Sequence, residues 1–139
     1  MMLTLLIALT MFQSQPASVR TLGKGPMSGI DDARQAVVRT RAEWDALWKE
    51  HTRGVTLGEQ PAVDFTREMV LGVFIGTRPT AGFSVEIVRT VKVNGAVRVE
   101  YVEGQPGRGA VTAQVITAPF HLVAVPKEDG PVQFVKVDK

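Results

Sequence analysis

Few side chains in this chain could do bond-making chemistry. There are two histidines, His51 and His121, and no cysteine. A metal or acid–base site built on both histidines would need them to converge, and no third ligand stands at motif spacing from either. The lack of cysteine excludes disulfides, thiol nucleophiles and a lipid-modified cysteine. Ser28 and Ser84 are the candidate hydroxyl nucleophiles. Neither lies in a strand–turn–helix elbow, and no histidine is placed in sequence to act as its base. Asp31, Asp32 and Glu68 supply carboxylates without a paired arrangement. Gly104-Gln105-Pro106-Gly107-Arg108-Gly109 is glycine-rich, but a strand pattern follows it. A phosphate cradle requires a helix N-terminus at that point, so the segment reads as a hairpin loop. No catalytic set, metal site or cofactor follows from these residues. They predict a protein that binds rather than transforms.

The best binding candidate is Arg78-Pro79-Thr80-Ala81-Gly82-Phe83. It follows the apolar run Met69–Gly76 and opens the alternating run Gly82–Val93, so two strands meet at a Pro/Gly-rich loop. Arg78, Pro79, Thr80, Gly82 and Phe83 are its candidate contacts, with Pro106, Gly107 and Arg108 from the next glycine-rich loop and Phe120 from a third. Phe83 also fits as the first core residue of its strand, since it alternates with Val85. In an antiparallel meander the first two loops share one end of the sheet, because the Asn94-Gly95 turn between them lies at the other. The Ala118-Pro119 turn joins them only through a sheet switch or crossover.

The elements that must position these loops are legible. Thr40-Arg41-Ala42-Glu43 matches a capping box. Trp44, Leu47, Trp48 and His51 then fall on one helical face, and Asp45 and Lys49 form an i,i+4 pair on another. Gly54 is a plausible stop. The spacing predicts a helix over 41–52 whose tryptophans pack it on a sheet; an exposed aromatic binding stripe is the competing reading. Thr21 to Ile30 holds three glycines and a proline and reads as an irregular lead-in. Ala36-Val37-Val38 reads as a short strand and Gly58 to Asp64 as a loop. Further strands are expected at Met69–Gly76, Gly82–Val93, Ala96–Glu103, Ala110–Thr117, Phe120–Pro126 and Val132–Val137. Met69–Gly76 lacks alternation, as a central strand covered on both faces does. His121, between Phe120 and Leu122, is expected on the polar side of its strand. At Asn94-Gly95 a three-residue loop is preferred, because it sets Val91 opposite Val97 and Ile87 opposite Tyr101. The fold class is α+β: one helix on a mostly antiparallel sheet, open to curling into a sandwich or half-barrel.

With 139 residues, 45% hydrophobic and 22% charged, the chain is long and apolar enough for one domain with a real core. A net charge of +2 is too small and too scattered for a nucleic-acid footprint, despite a pI of 9.2. Residues 1–17 carry no charged side chain. The apolar run Leu3–Phe12 would rise roughly 15 Å as a helix, half a bilayer core. It reads as a signal peptide cleaved near Ser14 to Ser18, not as a membrane span. A buried N-terminal strand or helix is the plainer alternative. The expected division is a signal peptide at 1–17, the lead-in at 18–33 and one domain at 34–139, exported to the periplasm, envelope or medium.

The ordered set Glu43-Trp44…Leu47-Trp48, Pro61-Ala62-Val63-Asp64-Phe65, Met69–Gly76, Arg78–Val85, Pro106-Gly107 and Thr117–Val123 resembles the C-terminal domain of the protease complex subunit PrcB family. The resemblance spans about Arg34 to Val137. It implies an exported, noncatalytic protein whose partner is a protein, a protease in the name-giving case. A looser similarity is to chagasin-like cysteine protease inhibitors, which use three loops at one end of a β-sandwich. Arg78–Phe83, Gly104–Gly109 and Ala118-Pro119-Phe120 come in the same order here. Arg78, Ala81 and Phe120 stand where that pattern has Asn, Thr and Trp. That similarity implies an inhibitor as the alternative function.

Overall fold

The computed structural model describes residues 16–138; the apolar segment Leu3–Phe12 lies outside them. Strands β1 (Pro16–Ala17), β2 (Arg20–Gly25) and β3 (Ala33–Val38) precede helix α1 (Arg41–His51). Five more follow: β4 (Glu68–Ile75), β5 (Ser84–Val93), β6 (Ala96–Gly104), β7 (Phe120–Pro126) and β8 (Val132–Lys136). They form two four-stranded sheets, ordered β1-β5-β6-β8 and β2-β7-β4-β3. All pairings are antiparallel except β6 with β8. The expected α+β class holds, with the sheets layered and not closed into a barrel.

The β2-β7-β4-β3 sheet is the middle layer. Met69, Leu71, Val73, Val123 and Val125 face Val85, Ile87, Val97 and Val99 of the other sheet. Val70, Phe74, Phe120 and Leu122 face Trp44 and Leu47 of α1. Both sides of β4 and β7 are therefore apolar, which is why Met69–Gly76 lacks alternation. Each such buried side chain contributes about 1.5–3 kcal/mol.

The helix starts as its sequence dictates. Thr40 Oγ1 accepts from the Glu43 N–H at 3.2 Å and donates to the Glu43 carboxylate at 3.0 Å. Trp44 is buried and donates its Nε1–H to the Pro61 carbonyl, while Trp48 is half-buried beside it. Asp45 differs from expectation. It pairs with Arg41 at 3.0 Å and accepts from Gln60, not from Lys49.

Three further expectations are corrected. The lead-in is not irregular throughout: Arg20–Gly25 forms β2 against β7, with a register shift between Thr21 and Gly23. Glycine composition marked a breaker, but an edge strand tolerates it. Ala110–Thr117 is β-prone yet forms no regular strand; only Thr117 bridges, to Arg78. At Asn94-Gly95 the loop has two residues, both with positive φ (50° and 79°), as a type I′ turn requires. Val91 therefore faces Arg98. A bulge between Ile87 and Arg89 then restores Ile87 opposite Tyr101 and turns Thr90 inward in place of Val91.

Candidate binding edge

β4 belongs to the middle sheet and β5 to the other. The Arg78–Phe83 loop therefore crosses between layers. The chain crosses back between β6 and β7, through residues 105–119. Ser84 pairs with Gly104, and Phe74 pairs with Phe120. All three sequence-predicted loops thus meet at one end of the molecule. The sheet switch that the Ala118-Pro119 turn needed is present.

Direct contacts join them. Arg78 and Thr117 exchange both backbone bonds, at 2.7 and 2.9 Å. The Ala81 N–H donates to the Ala113 carbonyl at 3.0 Å, and Thr117 Oγ1 donates to the Thr80 carbonyl at 2.9 Å. Gly82 has a φ of 94°, and a Cβ there would come within 2.8 Å of Pro106 Cγ. Only glycine fits between the loops without strain. Pro79, Gly107 and Arg108 are exposed, and Arg78, Thr80, Phe83 and Pro106 are half-buried.

Arg78 is partly structural. Its Nη1 donates to the Ile75 and Thr77 carbonyls at 2.8 and 3.2 Å, and its guanidinium lies 5.8 Å from the Phe83 ring centre. It makes no ion pair among the described residues. On one side it borders a cleft of about 320 Å³ where the sheets part, with Gln35, Tyr101 and Glu103. On the other it borders a hollow of about 330 Å³ with Thr77, Pro79 and Ile116.

Phe120 does not join this surface. It is 3% exposed, stacked near Phe74 and 4.2 Å from the His51 ring centre. Sequence reasoning missed the residues that are most open. Val111 is fully exposed, Ile116 66% and Val115 47%. A β-branched run with no charge looked like a core strand, and nothing local could reveal that its apolar side chains stay in solvent.

The histidines lie on opposite faces of the middle sheet. His121 is buried between the sheets, not on a polar side, because that sheet has no polar side. The Ile87 N–H donates to its Nδ1 at 2.8 Å, so Nε2 carries the proton and faces Thr21 Oγ1 at 2.9 Å. β1 covers β5 only at Thr90 and Val91; beyond it, His121 accepts the Ile87 main-chain N–H. Burial pushes its pKa down to about 4, with Lys24 acting in the same sense. His51 is likewise pushed down to about 4 by burial.

Ser28 does have a histidine. Its Oγ lies 2.8 Å from His51 Nδ1 and accepts from the Ile30 N–H at 3.0 Å. The pairing arises because the lead-in packs on the helix C-terminus, where the Gly29 N–H donates to the His51 carbonyl at 2.6 Å. Both side chains are buried, at 6% and 1% exposure. What the pair does here is fasten the segment before β3 to α1. Among the described residues no group of His, Asp and Glu is gathered to hold a metal, and no helix is long and apolar enough to cross a membrane.

A helix-backed pair of sheets whose crossovers converge on one exposed edge defines an α+β domain with a candidate protein-binding end. The stretch from β4 to β7 is similar to a known family. Residues 69–126 match the family model described as PrcB C-terminal, which bears out the resemblance read from the sequence. No match emerged among curated proteins or among solved structures.

Proposed function

We propose that this chain is an exported, noncatalytic subunit that binds and stabilises a protease of the envelope or medium through the edge formed by residues 77–83 and 105–117. The PrcB C-terminal match supports the protease as partner. The observation that carries the binding edge is the exposure of Val111, Val115 and Ile116 beside the two loops. Apolar side chains gathered this way are a docking surface more often than an accident. Export rests on the uncharged apolar N-terminus. Cleavage before Pro16 would leave β1 in place on β5.

The experiment is affinity isolation of the chain from its own organism, with and without Arg108→Glu and Val115→Asp. Both side chains are exposed, so folding is spared. Arg78→Glu is a poorer test, since it also removes the bonds to Ile75 and Thr77. A co-isolated protease that is lost from both variants supports the reading. Capture indifferent to both removes this edge as the interface. Stoichiometric loss of protease activity would replace stabilisation by inhibition. A full-length species retaining Leu3–Phe12 in the cytoplasm would remove export.

A further inference from the structure

Backbone bonds at two residues of the segment between β6 and β7 tie it to the Arg78–Phe83 loop. Thr117 exchanges both backbone bonds with Arg78, and Ala113 accepts from Ala81. The odd positions 113 and 117 thus turn their main chain towards residues 78–81. Drawn out as a strand, the segment would alternate its main-chain groups from side to side and turn those of Thr112, Gln114 and Ile116 away from residues 78–81. None of these three has a backbone partner among the described residues. The side chains suit a strand: Val111, Thr112, Val115, Ile116 and Thr117 are β-branched, and no charged side chain occurs from Gly109 to Pro126.

We infer that Val111–Ile116 joins a protein partner by strand addition, main chain to main chain, and that the accepting edge is acidic. The inference rests on the proposed binding edge for its location and adds the mode of recognition and the partner's chemistry. Strand addition makes good the unpaired donors and acceptors of an exposed edge. Charge decides whose edge it is. Residues 77–83 and 105–117 hold Arg78 and Arg108 and no carboxylate. Two copies of this chain meeting here would bring only guanidiniums together. An edge flanked by Asp or Glu is matched instead.

A displayed library of random dodecapeptides, panned on the full chain, tests this without the natural partner. Enriched peptides are expected to alternate β-branched residues with Asp or Glu. A synthetic copy N-methylated at alternate residues should bind at least about tenfold more weakly, and one methylated at the intervening residues nearly as well as the parent, since only one set of N–H groups enters the ladder. Gln114→Pro should reproduce that loss and Gln114→Ala should not. The methylated peptides keep the test valid if the proline variant misfolds. Absence of enrichment, enriched peptides indifferent to methylation, or self-association that protects the amides of Thr112, Gln114 and Ile116 would each overturn the inference. A native complex broken by Arg108→Glu but untouched by Gln114→Pro would leave the binding edge standing and remove strand addition alone.

Discussion

The middle strands β4 and β7 and the crossover loops at their ends are continuous in sequence and opposite in physics. From Met69 to Ile75 and from Phe120 to Val125 every residue is buried, and the main chain is paired on both edges. From Gly107 to Ile116 all residues but Thr112 are exposed, and the bonds that tie the segment down run to one side only. Both regions hold Val and Ile: Val70, Val73, Ile75, Val123 and Val125 in the first, Val111, Val115 and Ile116 in the second. Composition therefore did not decide which became core; the availability of a covering layer did. The buried region has spent its interactions on folding. The exposed region still has apolar area and hydrogen-bonding groups to offer, which is the condition for binding.

The largest test of that contrast is Trp44→Ala. Trp44 is 1% exposed under the helix, so its truncation should cost about 3–5 kcal/mol in denaturant titration. A loss below roughly 1 kcal/mol would mean the helix side is no true core.

Acid comes next. Both histidines are pushed from an ordinary value of 6.5 to about 4 in the folded chain by burial. The unfolded chain binds those protons first, so stability is full above about pH 6.5 and falls as the pH drops towards 4. The loss should be on the order of 2–3 kcal/mol per histidine. Carboxylates held low by arginine, such as Glu100 beside Arg89, also weaken the fold in acid. Chemical denaturation of His121→Asn across this window isolates the histidine part. An unchanged pH slope would show that His121 is not held neutral.

Thr90→Val is the third. Thr90 is 1% exposed and its Oγ1 has no partner among the described residues. Replacing a lone hydroxyl by a methyl of the same shape should stabilise by about 1 kcal/mol. Destabilisation would reveal a bond to that hydroxyl.

The smallest effect is expected at the exposed edge. Val111→Ser and Ile116→Ser should move stability by no more than about 0.5 kcal/mol, while weakening partner capture. A larger stability loss would place these side chains in the core and dissolve the contrast.

Much of this fold was written locally. The capping box at Thr40–Glu43, the helical face of Trp44 and Leu47, the unbroken apolar run of β4 and the Asn94-Gly95 turn depend on neighbours within a few residues. Those are the distances at which backbone preference and side-chain periodicity act. The glycine at 82, too, could be recognised as a loop residue from sequence alone. What remained hidden required two layers to meet. The bulge after Ile87 moved Thr90 inward, because turn geometry at Asn94-Gly95 and burial of Ile87 could be reconciled only by one extra residue. Packing of the lead-in gave Ser28 its histidine, and coverage of both faces of β7 buried His121. The convergence of residues 78–81 with 113–117 followed from two sheet crossings that no local pattern encodes. Sequence determined which segments could become helix, strand and turn, since those choices are made within a few residues. Tertiary structure alone decided which β-prone segment was left uncovered, because burial is settled by residues far apart in the chain.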